Sequence, residues 1–428
     1  MQYMTMQTAV SRPKSLKDLY LTDLFIGIII LLVLFRGFIE NFIGHGTLFV
    51  DCFFVMLFVW ALYTCLTGKI WYHKYHKILN FYIAWIVLCA IMGGMQVLFG
   101  KSSLYDAVIG FRNNNVYTGL FFLAALRLDR DGVRCFLKLF INGCVFICFF
   151  AIMQYVFREQ LPDSLLFLND EGNFGFYGSN VIRVTGLMGN TIIFGGFTII
   201  ICAILWAELI ICKYKSAVIW LKLLIAAIAN ILTFSRAASV GMVGVFVLEF
   251  IVYGCTHGKA AKYLTISGVV LLFCVIVAIT FFRDSVIVQR ILGLNDAWNS
   301  GSDVLRFQMI RNAIALIKDN WMFGIMMGQS NTVVTDGAFW AYLMEMGIPT
   351  FIFYCTLLLF LFITALKTCK SRDGLARMVS IGYIGMNAYL LAVSFINSSY
   401  AARSVLVFVW MIGGMMLAVA SRAESMRN

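Results

Sequence analysis

The sequence predicts an all-α fold, a polytopic bundle of about twelve membrane-crossing helices. Three observations carry it. Of the 428 residues, 61% are apolar and only 13% charged, where a soluble domain carries about 45–50% and about 25%. There are 3 prolines against 35 glycines, so little interrupts a helix. The apolar residues also cluster in stretches close to the roughly 20 residues that cross a bilayer. Together these exclude a soluble globular enzyme, a disordered chain and a disulfide scaffold. Residues 1–428 read as a single integral membrane domain.

Twelve stretches qualify, at 21–39, 47–67, 78–99, 107–127, 135–157, 191–212, 216–234, 237–255, 263–282, 348–368, 376–396 and 402–421. The first is not a cleavable leader, since it lacks a small-residue cleavage site and starts about 20 residues in. The fourth is the weakest, because Arg112 and Asn113 to Asn115 interrupt its start. Between them lie two long loops on the outer side, 158–190 and 283–347.

Charge orients the chain. With the N-terminus in the cytoplasm, 21 of the 33 Lys and Arg fall on the inner side and 12 on the outer. The short inner loops are basic: Lys69, Lys74 and Lys77; Arg127, Arg130 and Arg134; Lys213 and Lys215; Lys259 and Lys262; Lys367, Lys370 and Arg372. This is the positive-inside pattern, and it puts both termini in the cytoplasm. The net charge of +12 is then accounted for by topology and anionic lipid, and gives no support to nucleic-acid binding.

Metal and cofactor chemistry find no footing. None of the 12 cysteines lies in a long outer loop, and Cys144 and Cys148, a helical turn apart, sit inside a span as packing residues. The four histidines, His45, His73, His76 and His257, form no ligand cluster. No phosphate-binding or nucleotide motif and no nucleophile elbow occurs. Charge inside the spans is sparse. Asp23, Arg36, Asp51, Glu208 and Lys222 lie near ends, and Glu249 lies deepest. Ion-coupled transporters usually need more.

The outer side carries the candidate chemistry. The 158–190 loop is rich in Asn, Gly and aromatic residues, suited either to sugar contact or to an ordered lid, and Arg183 stands near its end. Arg236, in Thr233-Phe234-Ser235-Arg236, is pinched between two spans against the charge trend. It is either a diphosphate ligand, through its planar fork of donors, or a snorkelling helix end. In the 283–347 loop, apolar residues at 304, 305, 307, 310, 314 and 317 predict an amphipathic helix on the outer membrane surface that carries Arg306 and Arg311. It should end at Asp319-Asn320-Trp321, before Gly324 and Gly328. Asp336 is either an N-cap of the next helix or a carboxylate that takes a proton from an attacking hydroxyl.

Four segments then resemble the O-antigen ligase and polymerase superfamily of bacterial envelope glycosyltransferases. They are Phe234-Ser235-Arg236, Arg183 through Asn190, Arg306 through Gly328, and Asp336 through Gly347 with Glu345. Their order spans nearly the whole chain. The resemblance implies a metal-independent, cofactor-free glycosyltransferase at the outer face of the bacterial inner membrane. Its substrate would be an undecaprenyl-diphosphate-linked oligosaccharide in membrane lipid, with a chain-length regulator and a flippase as further partners. Arg183, Arg236 and Arg306 would bind the diphosphate, with Arg112 and Arg311 as weaker candidates. Asp336 or Glu345 would orient or deprotonate the acceptor hydroxyl, so the catalytic set is Asp336, Glu345, Arg236 and Arg306. The ligases of the superfamily carry a His near the position of Asp336. This chain has none in its long outer loops, which favours a repeat-unit polymerase over a ligase. A lipid-linked glycan flippase is the non-enzyme alternative.

Overall fold

Local chemistry sets where several helices begin. Ser103, Asp129, Asn190, Ser216, Ser235 and Asp373 each stand just before a helix and accept a backbone N–H of its first turn. Such caps satisfy donors that a helix start leaves open. The computed structural model describes residues 21–42, 46–66, 73–166, 183–258, 301–325, 337–397 and 402–425, with isolated positions between 262 and 268. Every regular element among them is helical. They are α1 (Leu21–Leu34), α2 (Arg36–Phe42), α3 (Gly46–Leu66), α4 (His76–Leu98), α5 (Leu104–Asn114), α6 (Gly119–Arg127), α7 (Arg130–Val156) and α8 (Asp163–Leu166). After these come α9 (Thr191–Ile211), α10 (Ala217–Leu232), α11 (Arg236–Thr256), α12 (Gly301–Asp319), α13 (Ala338–Thr368), α14 (Gly374–Val393) and α15 (Arg403–Ser425).

Seven of these, α4, α7, α9, α11, α13, α14 and α15, are long and apolar enough to cross a membrane, and α1, α3 and α10 contain shorter apolar helices. The chain is a multi-pass membrane protein with an all-helical fold. The interior helices are α9, α14 and α15, with 78%, 78% and 89% of their apolar stretches buried inside the protein, against 33–44% for the other four. Those four present apolar surface outwards, as lipid-facing helices do.

The spans are less even than the expected twelve. The stretch at 21–39 bends at Phe35, yet Phe35 and Ile39 keep their bonds to Leu31 and Phe35 at 2.9 Å each. The stretch at 107–127 is broken: α5 stops at Asn114, a 3-10 turn covers Val116–Thr118, and α6 begins at Gly119. The polar run from Arg112 to Asn115 sits at that break. The stretch at 263–282 lies outside the described residues apart from positions 265, 266 and 268. The tenth begins at Ala338 rather than 348, so part of the expected 283–347 loop is helix. Gly337 occupies the cap position of α13 and offers no side chain; Asp336 precedes it and lies outside the described residues.

α13 is itself interrupted. Gly347 has φ 77° and ψ 170°, and Pro349 follows. Proline has no N–H to give the carbonyl four residues back, which here is Glu345 O. Gln96 of α4 supplies the missing donor, its Nε2 lying 2.7 Å from Glu345 O and also bonding Phe323 O. Ile348 N turns to Trp321 O at 2.8 Å, and Met344 O accepts Ile325 N at 2.6 Å. Thr350 Oγ1 covers Met346 O and Gly347 O at 2.6 and 3.0 Å. The turn after α12 thus plugs the break in α13. α12 ends at Asp319 and Gly324 adopts φ 72°, where the sequence places the helix end and the glycine. Phe307 and Ile314 of its apolar stripe are exposed, and Ala313 is buried.

Two polar rims cap the bundle. On the basic rim Arg130 pairs with Asp373 at 2.9 Å, and Arg377 reaches His257 at 3.3 Å. His73 lies there too. Burial, with Arg422 and His76 adding to it, pushes its imidazole down to about 4 against an opposing hydrogen bond to the Ala125 backbone. The other rim gathers Arg183 to Asn190, Thr233 to Arg236, and the α13 start, where Ala338 N bonds Asn397 O and Phe339 N bonds Ser394 O at 3.1 Å each.

Two outcomes follow from these local facts. The unfolded chain protonates His73 before the folded protein does, so stability is full above about pH 6.5 and declines as pH falls towards about 4. Thermal unfolding of purified protein should show this slope in wild type and less of it in His73→Gln; equal slopes would assign it elsewhere. Second, Gly347→Ala puts a β-carbon against Met322 O at a positive φ and should cost at least about 1–2 kcal/mol. Gly94→Ala, whose β-carbon meets nothing within 4 Å, should be neutral or gain up to about 1 kcal/mol. Chemical denaturation compares the two.

Candidate functional site

The rim opposite the basic one holds a cluster of arginines around one carboxylate. Asp51, near the start of α3, is buried. Its Oδ2 accepts Arg112 Nη1 at 2.7 Å, and its Oδ1 accepts the Tyr117 hydroxyl. Tyr117 is packed edge-on against Phe54, with ring centroids 4.6 Å apart. The Arg403 guanidinium, at the start of α15, lies 5.6 Å from the Tyr117 ring centroid. Such a cation over an aromatic face is held electrostatically. Arg36, Arg112 and Asp51 all lie close enough to act on the charge of Arg403. Arg112 of α5 thus bonds Asp51 directly, while Arg36 of α2 and Arg403 of α15 lie within electrostatic reach of the Tyr117 that Asp51 holds. Arg112 remains partly open, its side chain 28% exposed.

The break between α5 and α6 carries this cluster to a second one. Two residues after Arg112, Asn114 Nδ2 donates to Glu345 Oε2 at 2.7 Å. Glu345 is buried in the first segment of α13, and its own carbonyl is held by Gln96. One turn earlier on α13, Tyr342 accepts Trp85 Nε1 at 2.8 Å. The last turn of α5 thus touches both Asp51 and Glu345. A carboxylate and a group of arginines stand at neighbouring positions on one rim.

A third group lies along the same rim. Arg183 Nε donates to Thr233 O at 2.9 Å, and Val184 N to Leu232 O at 3.1 Å. These bonds fasten residues 183–190 to the Thr233-Phe234-Ser235 turn. Phe234 adopts φ 49°, a left-handed conformation costing a non-glycine residue about 1–2 kcal/mol. Arg236 follows as the first residue of α11. Residues 183–190 also meet α2, since a β-carbon at Gly37 would overlap Leu187 O. Gly37 adjoins Arg36, so the 183–190 segment borders the Asp51 cluster.

The residues expected from sequence divide as follows. Arg183 and Arg236 meet at one turn, and Arg112 and Glu345 are joined through Asn114. Arg306 belongs to α12, its side chain outside the described residues, and Arg311 is exposed on the same helix. Asp336 lies outside the described residues. Sequence reasoning missed Arg403, Tyr117, Asn114 and Gln96, and set Arg36 and Asp51 aside as helix-end residues. Arg403 had a signal: like Arg236 it is a cation at an outer span start, against the charge trend. Among the described residues no group of three or more His, Cys, Asp or Glu could hold a metal ion.

Chemically, the arginines can bind a dianionic or more highly charged group, and Glu345 can accept a proton. Asp51→Asn should destabilise the protein by about 3 kcal/mol, because it removes the carboxylate of a largely buried pair. Inorganic pyrophosphate should restore part of that loss, and should do so less when Arg403→Met is added. Thermal shift with and without pyrophosphate measures both; no recovery in Asp51→Asn would argue against anion binding here. The chain matches no model of a known protein family, and it matches no curated protein sequence.

Proposed function

We propose that this protein is a polysaccharide polymerase of the bacterial inner membrane, acting at its outer face. It moves a glycan from an undecaprenyl-diphosphate-linked donor onto a lipid-linked repeat unit. The observation that carries the reading is the gathering of Arg36, Arg112 and Arg403 around the Asp51–Tyr117 pair, with Arg112 two residues of α5 away from the Asn114–Glu345 contact. The four resembling segments support it independently, and the basic rim opposite supports an outward-facing site.

In this reading the arginines hold the donor diphosphate, and Arg183 and Arg236 flank it. Asn114 and Gln96 position Glu345. The acceptor hydroxyl gives its proton to Glu345 while its oxygen bonds the anomeric carbon. The bond from that carbon to the diphosphate breaks, and its electron pair leaves with the diphosphate. Charge grows on the departing oxygens, where preorganised guanidiniums stabilise it most. Asp336 remains the alternative base, and Arg306 and Arg311 the alternative diphosphate ligands on α12.

Two variants test the roles. Glu345→Gln should lower polymer yield about 100-fold or more, the usual size of a general base's contribution. Arg403→Lys keeps the charge and loses the fork, and should shorten or deplete the ladder. A ladder unchanged in both, but lost in Asp336→Asn, would move the base to Asp336. Gene deletion with gel analysis of the surface glycan tests the class. Loss of the ladder with single units still transferred supports a polymerase. Accumulation of long lipid-linked chains would mean a ligase, and single units stranded on the cytoplasmic face a flippase.

A further inference from the structure

Glu249 takes no part in that site. It lies past the middle of α11, is fully buried, and neither carboxyl oxygen has a hydrogen-bond partner among the described residues. A β-carbon at Gly385 of α14 would overlap its Oε1, so the carboxyl group occupies the space a side chain would fill. The groups around it are poor partners. From α9 comes the Cys202 thiol and from the C-cap of α13 the Cys369 thiol, both within electrostatic reach. Tyr389 of α14 packs on Gly241 instead. Arg377 of α14 acts on Cys369 and bonds His257 at the basic rim. Lys222 of α10 and Lys138 of α7 act on Glu208, and Lys222 donates to Asn142 at 2.6 Å. Among the described residues no cation answers Glu249.

An apolar residue would fill this position at no electrostatic cost. An ionised carboxylate there, with no counter-charge and no donor, is among the most expensive groups a membrane interior can hold. The neutral acid is far cheaper, and it fits beside a glycine. We propose that Glu249 is a proton-binding site. The packed α11–α14 contact is its proton-loaded state, and the proton leaves only when the two helices part at Gly385. On release the O–H bond breaks, the proton passes to water entering from one rim, and the carboxylate is hydrated by that same water. The ligand is a proton, and the element it controls is the α11–α14 contact, so protonation biases one of two packings. The site stands apart from the donor-lipid reading and does not depend on it.

Infrared spectroscopy of the full-length protein in lipid vesicles tests this. At neutral pH the wild type should show a protonated carboxyl band that Glu249→Gln lacks. As the medium is made alkaline the wild type should lose that band and unfold at progressively lower temperature than Glu249→Gln. The same band in both proteins, or thermal midpoints that run parallel throughout, overturns the proposal. Should Glu249→Gln fail to fold, Gly385→Ala serves instead. It evicts the carboxyl group, so it should shift or abolish the band, and an unchanged band overturns the proposal.

Discussion

The interlock between the α12 turn and the break in α13 is the constraint on which the site region depends. Backbone inside a membrane must have its polar groups satisfied by protein. Pro349 removes one donor and Gly347 turns the chain, freeing carbonyls that the backbone N–H groups of α13 do not serve. Ile325, Gln96 and Thr350 serve them, and Ile348 finds Trp321 in exchange. Because each of these bonds has few substitutes, the break locks α4, α12 and α13 together. Glu345 is the residue whose carbonyl Gln96 holds. The backbone repair fixes where Glu345 sits, and Asn114 then holds its carboxyl group.

A second break supplies the partner. The 107–127 stretch does not run through Arg112 to Asn115 as one apolar helix, which as part of a lipid-facing helix would strand those side chains in lipid. It divides, and the α5 end turns its polar residues inward to Asp51 and Glu345. Discontinuous helices bring polar side chains and free backbone to membrane depth, and membrane proteins commonly build sites from them. Here two such breaks meet, one contributing cations and amides and the other a carboxylate. The left-handed Phe234 turn beside Arg183 and Arg236 is a third irregularity at the same rim. Backbone strain of this kind collects at functional sites.

The rest of the bundle is regular and apolar, and that contrast makes Glu249 notable. The rim clusters are dressed with hydrogen bonds, while among the described residues the Glu249 carboxyl has none and sits against a glycine, with two thiols within electrostatic reach. The bundle thus holds two kinds of buried acid. Glu345 is positioned by donors at a rim, and Glu249 is enclosed by packing in the interior.

Much of this was open to reading along the chain. The helical class, most spans, the end of α12 and the glycine after it follow from composition, apolar run length and capping residues, all of them local. The basic rim follows from loop charge. The polar run Arg112 to Asn115 weakened span four in the sequence, and the chain breaks there. What the sequence left undecided is contact across distance. Arg403 joins Arg112 only because α15 packs beside α6 and the α5–α6 break, and Gln96 matters only because a proline on another helix lacks a donor. Local pattern encodes which face of a helix is apolar. Which faces meet is chosen by packing and by the need to satisfy every buried polar group, and only the tertiary structure decides that.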